Sequence, residues 1–244
     1  MPAKLVHISP QVSRDLHPQA DLAFLPGIEK TAENFMQSNI QGMANQWLLD
    51  MPWKRPVAFM MLADLVQPDQ PAKEILEIGG NLSYFTYELA KHHNYILVDK
   101  ATHETEDNYH KVETQIKKTF VHNCDWADFT SKSHYDIVIA NDIFPNVDQR
   151  LYEFVDRFLP QTQEMRLTLT YYEDTSFEVQ RLASGEMLTM RPWGLRDIRH
   201  FMTHLAQTYP SMCKDIDQSQ LVYHDYSGTL FSNRRNVIYL HIQK

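Results

Sequence analysis

The chain is poor in glycine and cysteine, and each shortage excludes a class of site. Its 244 residues include seven glycines, of which only Gly79 and Gly80 are adjacent. The chain therefore has neither a G-x-G-x-x-G dinucleotide loop nor a P-loop. The two cysteines, Cys124 and Cys213, have no neighbouring Cys or His at zinc spacing. This low cysteine content is typical of proteins in a reducing compartment.

The charge balance disfavours a large polyanionic partner. The formal net charge is −8, and no cluster of Lys and Arg forms a track that could neutralise the phosphates of a nucleic acid. No apolar run reaches the length of a membrane span, and the N-terminus lacks the apolar core of a signal peptide. We therefore expect a cytoplasmic protein with a small-molecule substrate, without nucleic acid or membrane as a partner. The oligomeric state is not indicated.

What the chain does contain is a strand–turn–helix–strand pattern over residues 74–99. The segment 75–83 reads ILEIGGNLS, an apolar strand and a glycine turn that ends on Ser83, a candidate N-cap for the next helix. A second apolar strand ends on Asp99, twenty residues after Gly79. At this separation an acid reaches a ribose that lies over the glycine turn. The pattern therefore predicts a nucleoside-containing cofactor.

This pattern resembles the first motif of the class I S-adenosylmethionine-dependent methyltransferases, E/D-x-G-x-G-x-G. Glu77 and Gly79 match the motif, whereas Asn81 and Ser83 replace its second and third glycines. Asn is, after glycine, the residue that best tolerates a left-handed backbone, so we expect the turn to be retained. The alternative is an ordinary strand–turn–helix connection in another α/β protein.

Two later segments extend the resemblance. Residues 122–129 are similar to the third motif of the family, which implies that Asp125 accepts from the adenine amine and that Trp126 lies against the purine. Residues 135–145 are similar to the fourth motif, in which a strand end faces both cofactor and acceptor. The resemblance implies S-adenosylmethionine as co-substrate and these cofactor-binding residues: Glu77, Gly79, Gly80, Asn81, Asp99, Lys100, Asp125, Trp126 and Asn141.

The resemblance also implies the fold. We expect an α/β protein with a Rossmann-like, mostly parallel sheet, helices on both faces, a C-terminal antiparallel hairpin and an N-terminal helical cap. Residues 1–70 are predicted to form the arm and cap, and residues 71–244 the Rossmann-like catalytic domain that binds the cofactor. Further strands are predicted over residues 119–122, 136–140, 165–172, 220–226 and 236–242. The segment 173–193 is longer than a usual connection, so it is expected to shape the acceptor pocket, with an added hairpin as the alternative; both can hold.

The cap is predicted to contain helices over residues 31–49 and 57–66, punctuated by prolines. In many relatives such a cap lies over the cofactor, so Trp47, Trp53 and Arg55 are candidates for a lid. The alternative, which we favour for any one of these residues, is an ordinary helix core.

Methyl transfer from a sulfonium is an in-line displacement, so the enzyme must align the nucleophile and remove a proton from a protonated acceptor. Asn141 is predicted to orient an amine through its side-chain oxygen. Asp142 is predicted to act as the base or to hold the amino group of the cofactor, with capping of the following turn as the alternative. Tyr171 and Tyr172 end a strand, and alternation directs only one of the two rings towards the pocket.

The leading hypothesis is therefore a small-molecule methyltransferase, and two other functions remain open. The same fold hosts enzymes that cut the sulfonium at the aminocarboxypropyl carbon, and either transfer that group or close it to azetidine-2-carboxylate. A non-catalytic scaffold is the third possibility, because two motif glycines are lost. No metal is expected, since His200 and His204 have a ligating spacing but no third ligand.

Overall fold

The structure is a computed structural model, and it describes residues 3–8, 29–38, 40, 42–50, 54–67, 70–100, 103–130, 132–172, 177–180, 187–190, 193–214, 216–221 and 236–244. The strands are β1 (Lys4–Ile8), β2 (Glu74–Ile78), β3 (Asn94–Asp99), β4 (Val121–Asn123), β5 (Tyr135–Phe144), β6 (Thr162–Tyr171), β7 (Phe177–Gln180), β8 (Met187–Met190) and β9 (Asn236–Gln243). The α-helices are α1 (Glu29–Gln37), α2 (Met43–Asp50), α3 (Lys54–Leu62), α4 (Tyr84–His92), α5 (Glu106–Ile116), α6 (Leu151–Phe158), α7 (Leu195–Thr208) and α8 (Pro210–Cys213).

Seven strands form one sheet in the order β1-β9-β6-β5-β2-β3-β4. β3 runs parallel to β2 and β4, whereas β9 runs antiparallel to β6 and β1. The starts of β2 and β5 lie together, since the Glu74 N–H donates to the Asp136 carboxylate at 2.8 Å. The last halves of β5 and β6 lie together, since the Asp142 N–H donates to the Thr168 hydroxyl at 2.7 Å. The predicted α/β class with a mostly parallel sheet is confirmed.

The central strands are apolar on both faces, which is typical of parallel strands that are covered on both sides. In β2, Ile75 and Leu76 point to opposite faces and are both fully buried. The same holds for Val138 and Ile139 in β5. Burial of such side chains stabilises the sheet by about 1.5–3 kcal/mol for each residue. The continuous apolar runs of the sequence therefore mark the interior of the sheet.

The chain divides into two compact units, Val12–Ile139 in one and Met1–Gln11 with Ala140–Lys244 in the other. The first unit contains β2, β3 and β4 with helices α1 to α5, and the second contains β1, β6, β7, β8 and β9 with helices α6 to α8. β5 contributes residues 135–139 to the first unit and residues 140–144 to the second. The domain boundary expected at residue 70 stays a prediction.

The N-terminal cap differs from its predicted form. The continuous helix over residues 31–49 is wrong, because α1 ends at Gln37 and α2 begins at Met43. Gly42 lies in the break, and a Cβ atom built on it would collide with the backbone carbonyl of Leu82. The glycine at position 42 therefore allows the chain to pass close to the loop around Leu82.

In residues 135–244 the end of one predicted strand is corrected and one predicted hairpin is confirmed. The strand predicted over residues 136–140 runs on to Phe144, so Asn141 and Asp142 lie within β5 and not in a turn after it. The partners of β9 are β6 and β1, and residues 222–226 of the predicted last hairpin lie outside the described residues. The hairpin predicted within residues 173–193 is confirmed as the antiparallel pair β7 and β8. Across the described parts of the chain, no helix combines the length and apolarity needed to cross a membrane.

Candidate functional site

The turn after β2 bends through two left-handed residues. Gly79 has a φ of 68° and Asn81 a φ of 54°, a region that favours glycine and that Asn tolerates. The Gly79 N–H donates to the Val98 carbonyl at 2.9 Å, and the Asn81 N–H donates to the Asp99 carboxylate at 3.1 Å. The prediction that Asn81 maintains the turn is confirmed. The turn and the acid at the end of β3 are directly bonded.

Side chains hold this turn against the start of α4. Ser83 is the N-cap, and its hydroxyl accepts from the Thr86 N–H at 3.3 Å, as predicted. The Thr86 hydroxyl donates to the Asn81 carbonyl at 2.6 Å. The Asn81 side-chain oxygen accepts from the Leu82 N–H at 2.7 Å and from the Tyr109 hydroxyl at 3.3 Å. The polar groups of the turn are thus bonded within the protein, which fixes its shape.

A buried acid lies beneath the turn. Glu77 is 3% exposed, and its carboxylate accepts from the Tyr95 hydroxyl at 2.6 Å. Burial raises the pKa of Glu77 to about 7, the Asp99 charge raises it further, and the Tyr95 hydrogen bond opposes both. A Cβ atom on Gly80 would collide with the Glu77 carboxyl group, so Gly80 leaves space for this acid. Sequence reasoning missed Tyr95, although alternation puts it on the same face of β3 as Asp99.

The raised pKa of Glu77 predicts a pH-dependent stability. Folded Glu77 keeps a proton that the unfolded chain releases between about pH 4.5 and about pH 7. The free energy of unfolding therefore contains a contribution that is complete below pH 4.5 and is lost as the pH rises through 7. We expect Glu77→Gln, which stays neutral and keeps an acceptor for Tyr95, to lack this fall of about 3 kcal/mol. Urea denaturation of both proteins across this pH window measures the difference, and parallel curves would contradict the assignment.

The ends of β3 and β4 bring together two further predicted residues. The Lys100 ammonium and the Asp125 carboxylate form an ion pair at 2.6 Å. Asp125 also accepts from the Ala127 N–H at 2.9 Å, so its carboxylate is oriented by the turn that follows β4. Trp126 in that turn is 5% exposed and packs within the protein. The ion pair lies at the surface, because the Lys100 side chain is 60% exposed.

The second unit contains a separate polar group near the end of β5. The Thr168 hydroxyl of β6 donates to the Asn141 side-chain oxygen at 2.9 Å and accepts from the Asp142 N–H. The Asp142 carboxylate accepts from the Asn146 amide at 3.1 Å. Asp142 has a φ of 59°, a conformation that costs a non-glycine residue on the order of 1 kcal/mol.

The two tyrosines at the end of β6 have different environments. Tyr171 is fully buried, and burial raises its pKa well above the ordinary value. The Tyr172 hydroxyl lies 3.5 Å from the side-chain oxygen of Asn146, which in turn holds Asp142. Tyr172 is therefore the tyrosine that joins the polar group of Asp142. Sequence reasoning missed Asn146 and Thr168; Asn146 lies four residues after Asp142, but Thr168 comes from another strand and leaves no local signal.

No protein-family profile and no curated protein matches the chain. Solved structures do resemble it. The Burkholderia thailandensis 1,6-didemethyltoxoflavin-N1-methyltransferase with bound 1,6-didemethyltoxoflavin and S-adenosylhomocysteine is 10% identical, with 93% of this chain and 90% of that chain covered and a TM-score of 0.49. The magnesium protoporphyrin IX methyltransferase of Synechocystis PCC 6803 with bound S-adenosylmethionine is 12% identical (92% and 94% covered, TM-score 0.47). The plantazolicin methyltransferase BpumL, in complex with a triazolic desmethylPZN analogue and S-adenosylhomocysteine, is 13% identical (96% and 98% covered, TM-score 0.48).

Proposed function

We propose that this chain is an S-adenosylmethionine-dependent methyltransferase that acts on a small-molecule acceptor. The observation that carries the proposal is the pair of carboxyl groups at the turn after β2. The Asp99 carboxylate bonds to the turn at the Asn81 N–H, and the Glu77 carboxyl group lies against Gly80. The Asp99 charge raises the pKa of Glu77, so the two groups lie within electrostatic reach of each other.

This charge arrangement selects among nucleoside cofactors. A pyrophosphate at the turn would lie beside two acids, and residues 74–90 contain no Lys, Arg or His to neutralise it. S-adenosylmethionine instead carries a sulfonium and an ammonium group, and it has no phosphate. The Asp99 charge thus fits this cofactor by its sign, and Gly79 and Gly80 have no side chain that would obstruct its approach to the turn.

Each residue then has a defined part. Asp99 holds the ribose hydroxyls, Glu77 and the turn Gly79, Gly80 and Asn81 hold the methionine portion, and the segment after β4 with Asp125, Trp126 and Lys100 holds the adenine. When bound, S-adenosylmethionine supplies a methyl group on a sulfonium that a nucleophile displaces in line. Asn141 orients the acceptor. Asp142, held by Asn146, removes its proton, and Tyr172 supports this pair.

Product analysis tests the proposal. The purified protein is incubated with S-adenosylmethionine, with and without a protein-free small-molecule extract, and the nucleoside products are analysed by mass spectrometry. We expect S-adenosylhomocysteine to form only when the extract is present, together with a product in which one methyl group has replaced a hydrogen of the acceptor. The Asp99→Ala protein serves as the blank, because it should bind the cofactor poorly.

The other outcomes identify the competing functions. Methylthioadenosine released from S-adenosylmethionine without any extract would mean cleavage at the aminocarboxypropyl carbon, as in closure to azetidine-2-carboxylate, and would replace methyl transfer. Absence of S-adenosylhomocysteine binding by calorimetry would leave the non-catalytic scaffold and would overturn the proposal.

A further inference from the structure

Helix α2 and the residue just before it contact the end of the turn after β2 at three points. The Asn45 N–H donates to the Leu82 carbonyl at 3.3 Å. The Asn45 side-chain oxygen accepts from the Tyr84 N–H at 2.9 Å. Gly42, just before the helix, lies so close that a Cβ atom would collide with the Leu82 carbonyl. All of these contacts involve the backbone of residues 82–84, so they define where that backbone lies.

The side chain of Asn45 is the centre of this contact. It is 2% exposed, and its amide nitrogen donates to the Ile40 carbonyl at 3.2 Å. The first N–H groups of a helix have no partner within the helix. Ser83 satisfies the Thr86 N–H at the start of α4, and Asn45 satisfies the Tyr84 N–H from a different helix. Asn45 thus completes the cap of α4 from outside.

The same helix also reaches the segment after β3. The ring of Trp47 contacts the ring of His103 edge-on, with 5.3 Å between the centroids, and the Lys54 ammonium lies 4.9 Å from the Trp47 ring. His103 follows Asp99 by four residues. Helix α2 therefore contacts both the start of α4, next to the turn after β2, and His103.

We propose that Asn45 is a positioning residue that couples α2 to the turn at which the cofactor binds. The inference rests on the proposed function, since it concerns the same cofactor. Binding free energies between coupled elements are reciprocal. A cofactor that requires the ordered turn must therefore also stabilise α2 when it binds. Conversely, the release of α2 from the turn must lower the affinity for the cofactor.

Two shape-matched substitutions isolate the bond to Tyr84. Asn45→Leu loses both side-chain hydrogen bonds, whereas Asn45→Asp loses the bond to Ile40 but keeps an acceptor for the Tyr84 N–H, where a negative charge at a helix N-terminus is favourable. We expect S-adenosylhomocysteine to bind the Leu variant about tenfold more weakly than the Asp variant, as measured by calorimetry. The exposed neighbour Gln46, changed to Ala, should bind like the wild type.

Hydrogen exchange of the unmodified protein gives a second measurement that does not depend on a variant that folds. We expect saturating S-adenosylhomocysteine to slow exchange in residues 43–50 as well as in residues 79–84. Equal affinity of the Leu and Asp variants, or exchange in residues 43–50 that is unchanged by a bound ligand, would overturn the assignment of α2. If the wild type does not bind S-adenosylhomocysteine at all, the proposed function fails first and this inference fails with it.

Discussion

The substitution Asp99→Ala is expected to weaken S-adenosylhomocysteine binding about a hundredfold, because two contacts are lost and a hydrogen bond from the ligand to a charged group contributes roughly 1.5–3 kcal/mol. One is the proposed bond to the ribose. The other is the bond to the Asn81 N–H at 3.1 Å, which ties the turn to β3. Titration calorimetry of the wild-type and variant proteins measures the change directly.

Two further variants separate the roles of Asp99. Asp99→Asn keeps an oxygen for the Asn81 N–H and removes the charge, so we expect an intermediate loss of about tenfold. Asp107, an exposed acid in the first turn of α5, serves as the control for net charge, and Asp107→Ala should bind like the wild type. An Asp99→Ala protein with unchanged affinity would show that the cofactor motif has been assigned to the wrong residues.

The predictable part of the site follows local rules. The left-handed position of Asn81 follows from its side-chain type, and the capping role of Ser83 follows from its place before an apolar helix. The position of Asp99 close to the turn follows from the strand–turn–helix–strand spacing, whereas its bond to the Asn81 N–H was not predicted. The first two inferences use residues that are near one another in the chain, and the third uses the known geometry of a complete strand–turn–helix–strand unit.

The unpredictable part depends on contacts between distant segments. Asn45 bonds to Tyr84 across 39 residues, and Tyr95 bonds to Glu77 across 18. Nothing in the pattern around Asn45 indicates such a bond, and the apolar periodicity there predicted a continuous helix where the structure has two, Glu29–Gln37 and Met43–Asp50. The pKa of Glu77 likewise depends on burial, which a sequence pattern indicates only as an average.

At the end of β5, local residue preferences and a contact with a distant strand both determine the structure. The apolar run predicted a strand that ends at Ala140, because Asn and Asp favour turns. The strand continues because Thr168 on β6 accepts from the Asp142 N–H and donates to Asn141. A partner on the neighbouring strand therefore keeps two polar residues within the sheet. Asp142 still has a left-handed φ, the conformation that Asp adopts in many turns.

This left-handed position makes Asp142→Asn the sharpest test of the proposed base. Asn tolerates a φ of 59° as well as Asp does, so the substitution removes the charge and leaves the backbone in place. We expect kcat to fall about a thousandfold with methyl transfer to the acceptor as the readout, because general-base catalysis contributes 10²–10⁴-fold. Affinity for S-adenosylhomocysteine should stay within about threefold of the wild type.

The partner of Asp142 provides the graded control. Asn146→Ala removes the amide that donates to the Asp142 carboxylate at 3.1 Å but leaves the charge, so a smaller fall of about tenfold is expected. If Asp142→Asn instead reduces cofactor affinity and turnover by the same factor, Asp142 holds the amino group of the cofactor and is not the base, the other role that its position at the end of β5 predicts.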